Sequence, residues 1–431
     1  MLPALLIAAS LIAQVGASTP ADLTSEVQRL LKKLDAPEND ARGAAEEELI
    51  RLGPKVVELL PTSEDFSPEV RERLARIRQH FADSHAAEQL QNGSTVTLSG
   101  TLSLEDVRGE IEKQTGNKIA DYREKLGQNV TNLQLKLDIK DAPFWPALDA
   151  VLDSAQLGIY PFSGDDGLAI AGRSPSELPR RNRGAYAGPL RIEATRLVSE
   201  RHPGTSDSAA LAVSLDIAWE PRLKPISFEQ PLAQIQAVDD QGEELFVERP
   251  AQREERSLQV SATSGGTAVE MMIPFSAPPR SAAKIASLKG TLTALIAGKT
   301  EAFKFEKLSD AAKAGFKPLP QRIADATVVL DGVRKNNDIW EVAIRIRYAA
   351  GGKILAGNRG WILQNDAYLT GADGQRIDKA GSHSSAVGED EFGVTYQFDV
   401  PDVEGCTFVY KTPSSIQSVP LEYELKNLPL P

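Results

Sequence analysis

A single cysteine, Cys406, stands in the 431 residues. One thiol cannot close an internal disulfide, so the fold must rest on burial alone, which a chain of this length permits. Its neighbours Gly405-Cys406-Thr407-Phe408-Val409-Tyr410 read as a strand. That context predicts a buried, inert sulfur, and its distance from the N-terminus rules out a lipid-anchor role. Positive charge is also short. The 48 basic residues against 60 acidic ones leave a net charge of −12, a field that repels phosphate backbones and anionic headgroups, so nucleic acid is not an expected partner. Beyond the N-terminus no segment approaches the ~20 apolar residues of a membrane span. What remains, 41% apolar and 25% charged residues, is ordinary globular material sufficient for several cores.

The motifs of common chemistries are incomplete. Gly298-Lys299-Thr300 matches the end of a phosphate-binding loop, but Thr293 stands where such a loop needs glycine. The following Glu301-Ala302-Phe303-Lys304-Phe305 alternates as a strand, so Gly298 is expected to turn a hairpin. Of the four histidines, His80 and His85 are five apart, off a common helix face. His202 and His383 have no ligand pattern around them, and no metal site is expected. His383 lies in Gly381-Ser382-His383-Ser384-Ser385, where adjacency supplies no catalytic geometry; the stretch reads as an exposed polar loop. Asp165-Asp166, Asp239-Asp240 and Glu389-Asp390-Glu391 lie in turns, where aspartate bonds its own backbone. Trp145, Trp219 and Trp340 fall in apolar patterns and are expected in cores. Trp361, after Ala356-Gly357-Asn358-Arg359, is the candidate for an exposed ring.

Met1 to Ala17 carries an apolar stretch ending in Val15-Gly16-Ala17, which reads as a signal peptide over residues 1–17 and implies a periplasmic or extracellular location. From Leu23 to Phe81 the periodicity is helical, with Val27, Leu30 and Leu34, then Ala45 and Leu49, then Val70, Leu74, Ile77 and Phe81 on the apolar faces. Gly53-Pro54 breaks the pattern and Ser67-Pro68-Glu69 restarts it. The run Leu34-Asp35-Ala36-Pro37 through Leu52-Gly53-Pro54 to Arg73-Leu74 resembles one HEAT-type helical repeat of secreted bacterial proteins. A lone repeat implies a cap or docking element over residues 21–85.

Residues 94–172 follow as a small α/β module of order β-α-β-α-β-β. Thr95-Val96-Thr97-Leu98 forms a strand, Ser103 caps a helix, and Leu133, Leu135, Leu137 and Ile139 alternate with polar residues. A second helix follows Pro143, and Gly164-Asp165-Asp166-Gly167 closes a hairpin. This order, with Leu104-Glu105-Asp106-Val107, Gln114-Thr115-Gly116-Asn117 and Phe144-Trp145-Pro146-Ala147-Leu148-Asp149-Ala150-Val151-Leu152, resembles the short N-terminal domain of secretins and TonB-dependent receptors. The resemblance implies an envelope location and protein contact through strand edges and helix faces. No gate or outer-membrane barrel follows, so transport and signalling do not carry over.

Ser174 to Gly184 reads as a linker whose Arg180, Arg181 and Arg183 are solvated, with an anionic surface as the alternative. Residues 188–308 and 322–431 read as two immunoglobulin-like β-sandwiches separated by a second linker, Ala311 to Gln321. Whether they are separate or interleaved is open. The expectation is therefore a multidomain α+β chain: a helical pair, the small module and two sandwiches. The reading is a non-catalytic interaction or scaffold protein of the cell envelope, with envelope proteins as partners, no cofactor and no metal. The alternatives are a carbohydrate-binding or adhesion protein using a sandwich, or an unrecognised hydrolase.

Overall fold

The computed structural model describes residues 20–61, 66–131, 133–161, 167–200, 210–247, 256–262, 266–349, 360–388 and 390–431. The signal-peptide stretch, Asp165-Asp166, His202, Glu389 and the turn before Trp361 lie outside them. The chain is α+β with strand predominating, 47% against 22% helix, so sheet pairing carries most of the architecture. No helix among the described residues is long and apolar enough to cross a membrane. Two compact units divide at Glu88/Gln89.

The first unit holds α1 (Pro20–Lys33), α2 (Asn39–Arg51) and the start of α3 (Pro68–Asn92). The faces that the spacing marks are the ones that pack: Val27, Leu30, Leu34, Leu49, Leu74 and Ile77 share one core. Ser67 caps α3, its Oγ accepting from the Val70 N–H at 3.3 Å.

The second unit begins with the module. Its elements are β1 (Thr95–Ser103), α4 (Leu104–Thr115), β2 (Ile119–Asp121), β3 (Gln134–Pro143), α5 (Phe144–Ala155), β4 (Leu157–Tyr160) and β5 (Leu168–Gly172). A full capping box at Ser103 and Asp106 starts α4, and Gly116 in the left-handed conformation ends it. The helices pack among two small sheets, antiparallel β1-β3 and mixed β2-β5-β4. The short β2 has no counterpart in the sequence reading, because three residues give no periodicity to detect.

Among the described residues, eighteen further strands build two sheet pairs. The first comprises β6 (Gly184–Ala187), β7 (Leu190–Glu200), β8 (Ala210–Trp219), β9 (Pro225–Pro231), β10 (Gln236–Asp239), β11 (Ser257–Ser261), β12 (Ala268–Ser276) and β13 (Lys284–Ala297). The sheet β12-β8-β7-β6 faces β10-β13-β9-β11. The apolar run from Leu232 to Val238 is not one strand: a single 3₁₀ turn over Leu232–Gln234 follows β9 and leads into β10. The second pair comprises β14 (Thr300–Phe305), the one-turn α6 (Leu308–Ala311), β15 (Leu319–Ile323), β16 (Ala326–Asn336), β17 (Ile339–Tyr348), the short α7 (Gly360–Gln364), β18 (Ala367–Thr370), β19 (Arg376–Asp378), β20 (Gly381–Val387), β21 (Phe392–Phe398) and β22 (Thr407–Pro413). Here β14-β22-β18-β19 packs on β15-β16-β17-β21-β20. The expected second linker is partly strand: Pro320 lies in edge strand β15, where its missing N–H costs no ladder bond.

The final strand, β23 (Ile416–Pro429), pairs with β13 in the first sheet pair and not with the second. The expected boundary between residues 188–308 and 322–431 is thus crossed by the chain's end. Pairing is continuous in one register: Lys284 opposes Pro429, Ala297 opposes Ile416, Thr300 opposes Pro413 and Phe305 opposes Phe408. A single antiparallel ribbon, β13-β14 against β22-β23, therefore serves both halves. Gly298 lies at its bend and does not turn a hairpin: its N–H donates to Ser415 O at 2.9 Å, and an added Cβ would meet Ser415 Oγ at 2.3 Å.

Candidate functional site

The most concentrated chemistry lies where the module meets the first sheet pair. Helix α5 is apolar except for Asp149 at its centre and Asp153 and Ser154 near its end, and Asp149 has 0% exposure. A buried carboxylate is costly unless its oxygens are filled. Here the Arg180 Nε–H donates at 2.7 Å, Arg191 Nε–H at 2.7 Å and Tyr186 O–H at 2.8 Å. Arg191, 2% exposed, pairs also with Glu193, which in turn binds Arg183. Burial works against the Arg191 charge, but Asp149 and Glu193 more than offset it and hold the guanidinium firmly protonated. Burial, reinforced by the Asp149 charge, pushes the Tyr186 phenol well above its usual range.

Asp153 anchors the connecting segment. It accepts the backbone N–H groups of Arg180 at 2.8 Å and Arg181 at 3.0 Å, and the Arg173 guanidinium at 2.5 Å. Those bonds hold its carboxyl below the usual aspartate range despite burial. The connecting segment, residues 174–183, is exposed as expected except at Arg180, yet Arg180 and Arg183 are bound to carboxylates. Of the three arginines, only the Arg181 side chain has no hydrogen-bond or ion-pair partner among the described residues. The carboxylates that recruit its neighbours come from an apolar helix 31 residues earlier and from the following strand, and a local reading has no access to such partners. The available signal was Asp149 itself, a carboxylate between Leu148 and Ala150 on a helix that buries every other residue from Phe144 to Leu152 save Pro146.

A second buried carboxylate closes the other end of the seam. Glu220 accepts the Ser94 N–H at 2.8 Å, Ser94 O–H at 2.6 Å, Asn117 Nδ2–H at 3.1 Å and Arg222 Nε–H at 2.6 Å. Between the two carboxylates Trp145 donates its indole N–H to Pro189 O at 2.9 Å. Gly93 and Gly188, both at positive φ, pass so close that a Cβ on Gly188 would lie 2.0 Å from Gln91 O. Only glycine fits there.

Two grooves flank Tyr186. One, of about 520 Å³, runs between β3 and the first turns of α5 and is walled by Lys140, Arg181, Asn182 and Tyr186. The other, of about 690 Å³, crosses from β6 to the outer face of β13 and β23, with Gln234, Gln236, Thr291 and Glu422 on its walls. Asn182 and Tyr186 line both.

The sequence-marked residues lie elsewhere. His383 is exposed on edge strand β20, opposite Thr395, and is not in a loop. His80 is exposed on α3 against the Phe81 ring, and the His85 side chain lies outside the described residues. Asp239 caps its own turn, one carboxylate oxygen accepting from Gln241 and Glu243 N–H groups at 2.8 and 2.9 Å. Glu391 pairs with Arg345. Among the described residues no group of three His, Cys, Asp or Glu side chains is placed to hold a metal ion. Cys406 is buried, and burial raises its thiol pKa. Trp145 and Trp219 are in cores as expected, while Trp340 is half-buried beneath Lys335. Trp361 is not the exposed ring: it is 5% exposed and packs on Tyr348 with centroids 6.1 Å apart. The short helix α7 turns it into the second core.

No family model matches the chain, and no curated protein or solved structure matches it either.

Proposed function

We propose that this chain is a non-catalytic interaction or scaffold protein of the cell envelope, exported to the periplasm or beyond, that presents rigid surfaces to other envelope proteins. The observation that carries the reading is the seam. Its buried carboxylates, Asp149 and Glu220, are filled by protein donors, and the result is a fixed surface around Tyr186. Groups tied down in this way hold a surface rigid. The N-terminal apolar stretch supports export. The likeness of residues 94–172 to the short domain of secretins and TonB-dependent receptors, and of residues 21–85 to a HEAT-type repeat, supports protein contact. The test is crosslinking of the intact protein in envelope extract followed by mass spectrometry of the captured chains. One reproducible stoichiometric protein partner supports the reading; substrate turnover by the purified protein with no such partner refutes it.

The second groove favours one other reading, carbohydrate binding on the first sheet pair, because its walls present amides and hydroxyls that suit sugar hydroxyls. Binding on a glycan array, abolished by Gln236→Ala together with Thr291→Ala, would replace the first reading with this one. A hydrolase reading rests only on His383 and Ser384, which share an exposed strand edge.

A further inference from the structure

We infer that the groove between β3 and α5 receives an extended, acidic segment of a partner protein. The inference rests on the interaction reading above and specifies where the contact falls and what chemistry it takes. Three observations converge. The floor is made of small apolar surface, Ile139, Ala142, Pro146 and Ala147. That surface suits side chains of a peptide better than the hydroxyl-covered faces of a glycan. Beside it, β3 is open. Its pairing with β1, fixed by the Leu104 N–H donating to Leu133 O at 3.1 Å and by Leu102 opposite Leu135, turns the main-chain groups of Lys136 and Asp138 away from β1. Among the described residues no other strand pairs with β3 on that side. Unpaired strand backbone of this kind is the template for an added strand.

The third observation is charge. In a chain of net charge −12, the groove is lined by two cations, Lys140 from β3 and Arg181 from the segment that follows the module. Neither side chain has an ion-pair or hydrogen-bond partner among the described residues. Arg181 is the one member of its run left over after Arg180 and Arg183 bind Asp149 and Glu193, and its backbone is pinned to Asp153. Asp138 also lines the groove, so the net charge of the lining is +1. An incoming strand with acidic side chains at alternate positions meets both cations while its backbone pairs with β3.

The probe is a phage-displayed library of random dodecapeptides, panned against the intact protein at low salt. The expected winners alternate Asp or Glu with small apolar residues. As synthetic peptides they should bind the Lys140→Glu/Arg181→Glu variant about tenfold more weakly, since two exposed ion pairs become repulsions, and should weaken as salt rises from 20 to 500 mM. Both side chains are exposed, so the variant should keep the wild-type thermal midpoint. A Lys113→Glu/Lys313→Glu control, with the same change in net charge, should bind as wild type. Winners without acidic enrichment, equal binding by the reversed variant, or no winners at all overturn the inference. So does binding of an acidic polysaccharide or of phosphatidylglycerol vesicles that the reversal abolishes while peptides fail. If the reversed variant still captures the same envelope proteins, the groove assignment falls and the interaction reading stands. If the wild type captures none yet the peptides behave as expected, the groove stands and the envelope reading falls.

Discussion

Replacing Asp149 with asparagine tests the seam with the smallest change in shape. The amide keeps the volume of the carboxylate but has one acceptor oxygen where the native residue has two. Three donors converge on those oxygens, Arg180, Arg191 and Tyr186, at 2.7 to 2.8 Å. In the variant the amide N–H₂ must confront at least one of these donors. Among the described residues Arg191, 2% exposed, then keeps Glu193 and the Arg180 carbonyl oxygen as partners. Hydrogen bonds to a charged group contribute about 1.5–3 kcal/mol each, and breaking a buried pair from one side costs about 3–5 kcal/mol because a charge is left uncompensated. The expected loss for Asp149→Asn is therefore about 3–5 kcal/mol, the bonds and the stranded charge being one effect counted once.

Urea unfolding followed by circular dichroism measures the total, and hydrogen exchange of residues 174–191 shows where it arises. The Arg180 and Arg181 amides, bonded to Asp153, should lose protection together as the connecting segment lifts from α5. A companion separates the net value of the pair from the cost of stranding it: Asp149→Leu with Arg191→Met removes both charges and should cost less than Asp149→Leu alone. A loss below about 1 kcal/mol for Asp149→Asn at unchanged m, or a double variant no better than the single, would refute the view that this cluster holds the seam.

Gly188→Ala should cost about 3 kcal/mol or more in the same urea assay, because its Cβ would meet backbone, Gln91 O at 2.0 Å, at φ +54°. Gly298→Ala, whose nearest clash is the movable Ser415 hydroxyl at 2.3 Å, should cost about 1 kcal/mol; the reverse order would contradict the packing described. Asp216 is half-buried, with its pKa raised above 3.8 by burial first and by neighbouring Glu193 second. The folded state then binds its proton more tightly than the unfolded chain. Stability is lost as pH rises from the unfolded toward the folded pKa, and the penalty persists above it. Asp216→Asn should accordingly be more stable than wild type at pH 8, with the difference vanishing below the unfolded pKa; equal stability at pH 8 would oppose this. Cys406, buried with a raised thiol pKa, should resist a thiol reagent at pH 8 until urea unfolds the protein, so rapid native labelling would show the second core to be open.

Local chemistry was legible where it determined structure locally. The Ser103 cap, the alternation of Leu135 and Leu137, and the buried faces of the first unit's helices depend on spacing within a few residues. Trp361 was misread because its turn-rich neighbourhood suggested exposure, whereas a five-residue helix rotates it inward. The seam was illegible for a different reason. Asp149 and its cations are separated by 31 and 42 residues, and Glu220 lies 126 residues from Ser94. Each partner alone looks like an ordinary surface charge. A carboxylate set among the apolar residues of α5 was the available clue, and it indicates a buried cation without saying which.

The ribbon shows why counting strands per domain could not decide whether the sandwiches were separate. Alternation gives a strand two faces, and here each face serves a different core. On β13, Leu288, Leu292, Ala294 and Ile296 enter the first core, together with Val419, Leu421 and Leu425 from β23. Leu295 and Ala297, on the opposite face, pack against the second core, which Phe303, Phe305, Phe408 and Tyr410 then fill. No change in pairing register accompanies the handover. A one-residue slip of this ribbon would turn both sets out of their cores at once, so the two hydrophobic cores fix a single register jointly. Bound in this way, the halves cannot reorient without breaking the ladder between Ala297 and Thr300 on one strand and Pro413 and Ile416 on the other. The module joins the same body through Asp149 and Glu220, which leaves the groove beside Tyr186 with walls held from both sides. A preformed surface of this kind loses little conformational entropy on binding, and that is the physical condition under which a groove of about 520 Å³ can hold a short extended segment selectively.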